Sequence, residues 1–150
     1  MWEKKLAADD ASGNCADGTQ ANRSIHCVNN LYQWSAGTLS EFEPDGSLFT
    51  DFLTNLNRAD GSSGDGVTID RKNYSDWRIP NIAELQAIMD CTKANCLDPI
   101  FGATQASFYW SSTTLASDPR GAWLVNFFSG NVLSSEKVAS SFARAVRGGR

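Results

Sequence analysis

Asp76-Trp77-Arg78-Ile79-Pro80-Asn81-Ile82-Ala83-Glu84-Leu85-Gln86 decides the fold, because within one short stretch a rigid extended segment turns into a capped amphipathic helix. Pro80 stiffens the strand end, and the helix begins at the Pro80-Asn81 step. Asn81 can cap it, and Glu84, three residues on, can reach back in a capping box. Ile82, Leu85, Ile88 and Met89 recur at helical spacing and form its buried stripe. Cys91 is expected to close the last turn, and a bridge to Cys96 would force a reversal before Leu97-Asp98-Pro99.

Upstream, Leu48, Phe49, Phe52, Leu53 and Leu56 share a helical period behind Ser47, an N-cap residue type, with Asp51 placed to complement the helix dipole. This predicts a first helix, ended by the Gly/Ser/Asp loop of residues 57–66. Earlier still, residues 2–6 read as a short strand and residues 8–22 as a polar loop ahead of Leu31-Tyr32-Gln33-Trp34. Downstream of Phe101 the period becomes extended: residues 108–112, 122–127, 132–133 and 142–147, with Ser129-Gly130-Asn131 as a hairpin turn. Two helices followed by a meander of short strands predict an α+β domain.

The 150 residues are 41% apolar, which suits one domain with its own core. No apolar run is long enough to cross a membrane, and none resembles a signal peptide, so direct membrane insertion is not expected. The net charge of −4 disfavours nucleic acid and anionic membranes as partners. Arg144, Arg147 and Arg150 are the one local basic cluster.

The four cysteines permit three disulfide connectivities. Their spacing favours the local pairs Cys15–Cys27 and Cys91–Cys96, each contributing roughly 2–4 kcal/mol at most. Zinc is the alternative, but it requires tighter Cys-x2-Cys spacing or accompanying histidines, and His26 stands alone. Disulfides would place the chain in an oxidising compartment.

Candidate chemistry is thin. His26 is the single imidazole, without a nucleophile-elbow motif, and reads as a surface or loop residue. Residues 61–66 have the glycines of a phosphate cradle but no preceding strand and no Gly-Lys-Ser/Thr ending. Asp60, Asp65 and Asp70 could offer hard oxygen ligands to calcium, although the EF-hand spacing is absent and a solvated acidic turn is the plainer reading. No other cofactor is expected. Trp77 and Trp110 read as core. Trp123 alternates with Leu124, so one of the two must face away from the core. Arg78, Arg144 and Arg147 read as structural, pairing carboxylates such as Asp76 and Glu84 or backbone carbonyls.

Several landmarks in order, Trp2-Glu3-Lys4-Lys5, Tyr32-Gln33-Trp34-Ser35, Leu56-Asn57, the 76–86 stretch, Phe108-Tyr109-Trp110-Ser111-Ser112-Thr113 and Ala143-Arg144-Ala145-Val146-Arg147-Gly148-Gly149, resemble the bacterial family named after the C-terminal domain of the Legionella collagen-like protein. The resemblance spans nearly the whole chain. It implies a single C-type-lectin-like domain over residues 1–150, with two helices, a small antiparallel sheet, long loops and paired N- and C-terminal strands. It also implies that Met1 starts within a longer protein, since the family pattern usually continues upstream.

The tract from Tyr109 to Gly149 is similar, too, to the recognition region of retroelement-diversified variable proteins. That likeness implies a display face at Leu115, Ser117, Asp118, Arg120, Phe128, Ser129, Leu133, Ser134, Glu136, Val138, Ser140 and Phe142, to which the ambiguous Trp123 is added as a ligand contact. The ending also resembles formylglycine-generating enzymes, but their chemistry uses a cysteine pair toward the C-terminus, and no cysteine follows Cys96. The expectation is therefore a non-enzymatic adhesion or recognition domain of an exported bacterial protein, periplasmic, secreted or at the cell surface, with a protein or glycan ligand. The rival is a structural or oligomerisation module of a longer surface protein.

Overall fold

The computed structural model describes residues 1–7, 15, 25–37, 43–57 and 74–148. The expected helix, strand and hairpin succession is present as an α+β fold. Three short antiparallel ladders organise it. β3 (Phe108–Thr114), β4 (Gly121–Asn126) and β5 (Val132–Glu136) form a three-stranded sheet, β1 (Tyr32–Gln33) pairs with β6 (Ser140–Ser141), and β2 (Trp77–Arg78) pairs with β7 (Val146–Arg147).

The hairpin between β4 and β5 turns where the sequence places it. Gly130 takes φ +73°, and its N–H donates to the Asn126 carbonyl at 2.7 Å. Glycine is needed there twice over, because a Cβ would also lie only 2.6 Å from Cys91 Sγ.

The sheet is packed on both faces. Trp110, Leu124 and Leu133 are opposite one another across the strands and join Tyr32, Trp34, Leu48 and Phe52 in one apolar core. On the other face Tyr109, Val125 and Val132 meet Ile82 and Leu85 of the second helix and Ile88 and Met89 just beyond it. Burial of both faces explains why β4 reads as a nearly continuous apolar run.

The second helix, α2 (Ile82–Ala87), has the capping box the sequence predicts: Glu84 N–H donates to Asn81 Oδ1 at 2.9 Å, and Asn81 N–H to Glu84 Oε2 at 2.9 Å. It stops before Cys91, however. Ile88 is its C-cap, and the chain reverses beyond it, with Asp90 N–H donating to the Cys96 carbonyl at 2.8 Å.

The first helix differs more from expectation. Leu48–Leu53 forms a wide π-helical turn that tightens into α1 (Thr54–Leu56). Ser47 does not cap with its side chain; its hydroxyl instead accepts from the Gln33 N–H at 3.0 Å. The entry is anchored by the neighbouring Gly46 carbonyl, which accepts from Phe49 and Thr50, both at 3.0 Å. Gly46 leaves no room for a side chain against the Gln33 carbonyl, so the helix start is pressed onto β1 and Ser47 is spent there.

The termini close the unit as expected. Trp2 bridges Val146 in antiparallel fashion, Glu3 N–H donates to the Ala145 carbonyl at 3.0 Å, and Arg147 N–H to the Met1 carbonyl at 2.8 Å. Val146 also pairs with Arg78, so the C-terminal segment runs between the N-terminal segment and β2.

Both local disulfides are present. Cys15 and Cys27 have Cα atoms 5.2 Å apart, within the usual range, whereas Cys91 and Cys96 come closer, at 3.7 Å. The closer pair spans a tight reversal in which Asn95 and Cys96 both take positive φ.

Candidate functional site

Most charged side chains near the chain ends are used to hold the fold. The Glu3 carboxylate is buried and accepts from Lys5 Nζ at 2.8 Å, sits 3.0 Å from His26 Nδ1, and accepts from Ala145 N–H at 3.0 Å. Burial alone would raise its pKa, but Lys5 and His26 outweigh it and hold the group at about 2. His26 is thus half-buried against Glu3 rather than a free surface residue.

Arg144, fully buried, donates to the carbonyls of Glu3, Phe101 and Ala103 and to the Thr104 hydroxyl. Arg78 forks onto Glu84, and Arg147 pairs with Asp76 at 2.8 Å while stacking 3.3 Å over the Tyr74 ring. The structural reading of the arginines therefore holds. The expected strand at residues 2–6 is reduced to isolated bridges at Trp2, Lys5 and Leu6, and the buried Glu3–Lys5 pair was missed, though in extended chain residues two apart share a face.

The tryptophans divide by the same test. Trp34 donates its indole N–H to the Ser111 carbonyl at 3.1 Å, and Trp110 donates to the Tyr32 carbonyl at 2.9 Å, both deep in the core. Trp123 belongs to neither core and is half-buried, while its neighbour Leu124 is buried. Its indole N–H donates to no protein group among the described residues.

Trp123 lies directly across from Ser134, and Gly121, two residues back on the same face, lies across from Glu136. Cross-strand neighbours of this kind hold their Cβ atoms roughly 4.5–5.5 Å apart, and diagonal ones about 7–8 Å. Leu115 leans over Gly121, its Cβ and Cδ2 both 3.4 Å from where a Cβ would stand. Leu115, Trp123, Ser134 and Glu136 thus lie together at the end of the sheet's second face, beyond its packed part at Val125 and Val132, where Ser134 and Glu136 are exposed. The loop beside it carries Ser117, Asp118 and Arg120, the last two joined by a fork at 3.0 and 2.9 Å that lowers the Asp118 pKa.

The remaining candidates lie elsewhere. Phe128, 72% exposed, and Ser129 occupy the β4–β5 turn, at the far end of a six-residue strand that runs roughly 20 Å. Leu133 packs against the first core, and Phe142 lies with its ring centroid 5.6 Å from that of Tyr109, so both are partly buried in packing. Val138 abuts Gly37, and its carbonyl accepts from the Gln33 side chain at 2.8 Å; Ser140 lies across from Gln33 in the β1–β6 ladder. Lys137, between these candidates, is buried with Nζ 3.8 Å over the Trp34 ring. The calcium candidates Asp60, Asp65 and Asp70 lie outside the described residues.

A doubly packed sheet closed by its own termini, with half-buried Trp123 beside a loop, defines a disulfide-stapled α+β domain. The family is equally plain. Residues 1–147 match the Lcl C-terminal domain, and the chain belongs to that family. No curated protein matches it. The two disulfides fit an exported or surface protein, and no helix among the described residues is long and apolar enough to cross a membrane.

Proposed function

We propose that this is a non-enzymatic ligand-binding domain of an exported bacterial surface protein, a C-type-lectin-like scaffold whose binding face centres on Trp123 with Leu115, Ser134, Glu136 and the 117–120 loop. The observation that carries the reading is a contrast on the three-stranded sheet: Trp110 is buried with its indole N–H bonded, whereas Trp123 is half-buried, packs into neither core and has no indole N–H partner among the described residues. Such amphipathic rings are the usual anchors of recognition surfaces. This is also the region in which the likeness to variable proteins puts changeable residues. His26, the single imidazole, is engaged with Glu3, which leaves little for hydrolytic chemistry.

Surface capture with the isolated domain tests the reading. Trp123→Ala should abolish retention on bacterial or host-cell surfaces while leaving the thermal midpoint nearly unchanged; unchanged retention would sink the assignment. A second reading, assembly within a longer surface protein, draws support from exposed Phe128 and Ile100. Concentration-dependent self-association removed by Phe128→Ser would favour it.

A further inference from the structure

We infer that Cys91 is a thiol-exchange site: a low-molecular-weight thiol opens the Cys91–Cys96 bridge by bonding to Cys91, while Cys15–Cys27 stays closed. The two bridges differ first in exposure. Cys15 and Cys27 are buried, at 2% and 1%, so a reagent reaches neither sulfur while the fold is intact. Cys91 is exposed, the four residues that follow it are exposed as well, and within this bridge only Cys96 is buried. Exchange proceeds by attack of a thiolate on one sulfur, and its rate depends on access to that sulfur. Cys91 Sγ is therefore the atom attacked, and Cys96 Sγ is the one that leaves.

The surroundings suit that direction. The incoming sulfur bonds to Cys91 Sγ, the Cys91–Cys96 bond breaks, and its electron pair stays on Cys96 Sγ, which takes up the proton lost by the attacking thiol. No separate oxidant or reductant is consumed. The new Cys96 thiol has an acceptor at hand, since its Sγ lies 3.8 Å from the Phe128 carbonyl. The backbone favours release too: Asn95 and Cys96 hold φ of 55° and 44°, left-handed values that are costly for a residue with a side chain, and the closed bridge keeps Cys96 there. Exchange would also reach the sheet. A Cβ on Gly130 would stand 2.6 Å from Cys91 Sγ and 3.7 Å from Cys96 Sγ, so the bridge is packed on the β4–β5 turn. Moving Cys91 Sγ to carry a new group withdraws that packing from the turn that bears exposed Phe128.

The test incubates the full chain with millimolar reduced glutathione and quenches it at intervals with N-ethylmaleimide. Peptide mass spectrometry then locates each modified cysteine, and a thermal melt at each interval reports the fold. Opening of Cys91–Cys96 at least about tenfold faster than Cys15–Cys27, with glutathione found early on Cys91, maleimide on Cys96 and a cooperative melt throughout, supports the inference. Equal rates for the two bridges, opening only where the melt is lost, no opening at all, or glutathione on Cys96 in place of Cys91 each overturns it.

Discussion

The two ends of the three-stranded sheet are built to different standards. At the β4–β5 end the turn is clamped: Gly130 sits against the Cys91–Cys96 bridge, Cys96 Sγ lies 3.8 Å from the Phe128 carbonyl, and Phe127 fills a core. At the β3–β4 end the loop is held by its backbone, with Leu115 N–H donating to the Gly121 carbonyl at 2.8 Å and Lys137 N–H to the Arg120 carbonyl at 2.8 Å, while its side chains turn to one another or to solvent. A loop fixed by main-chain bonds can change its side chains without losing its shape. That difference is why the proposed binding face is placed at the 115–120 end.

The sharpest way to break the comparison is to remove matched tryptophans. Trp110→Ala should cost about 3–5 kcal/mol, the range for deleting a fully buried large aromatic, and Trp123→Ala about 1 kcal/mol. Denaturant midpoints decide it, and equal losses would place Trp123 in the core.

Acid tests how far the fixed part extends toward the termini. Glu3 titrates at about 2 in the folded chain against an ordinary 4.5, so its contribution, on the order of 3 kcal/mol, is present above pH 4.5 and drains away as pH falls toward 2. Thermal melts between pH 6 and 2.5 should show the loss. Glu3→Gln should be less stable at neutral pH, with a flatter acid limb.

Two glycines sharpen the contrast next. Gly130→Ala, at φ +73° and against Cys91, should cost about 1–3 kcal/mol. Gly121→Ala meets Leu115 at ordinary contact distance and should shift stability by less than about 0.5 kcal/mol. The smallest effect belongs to Asp118→Ala. Breaking its exposed fork with Arg120 should leave the melting temperature within a degree or two, since solvent screens such a pair.

Local chemistry was legible where one residue type has one use. The Asn81–Glu84 box and the turn at Gly130 could be read directly, the local disulfide pairs were favoured among three connectivities, and Asp76 and Glu84 were named as arginine acceptors without saying which arginine each would take. Ser47 misled because a serine ahead of a helical period can cap or serve a neighbouring strand, and contact with Gln33 decides which. The candidate face was only partly legible. Phe142 and Leu133 interrupt the simple period, yet both pack inward, because a sheet with a core on each face leaves alternation no outer side to report. Phe128, assigned to the display face by the likeness to variable proteins, is exposed, but linear spacing could not show that it sits a strand's length from Trp123.

The contact between Met1 and Arg147 has a practical consequence. Met1 N donates to the Arg147 carbonyl at 2.6 Å while Arg147 N–H donates to the Met1 carbonyl, so the chain enters and leaves at one spot. A domain with that geometry is portable: spliced into a surface loop of a host protein, it needs no bridging linker and imposes almost no separation on the host's ends. Circular permutants opened in the 115–120 loop should be feasible for the same reason, turning that edge of the sheet into a pair of free ends.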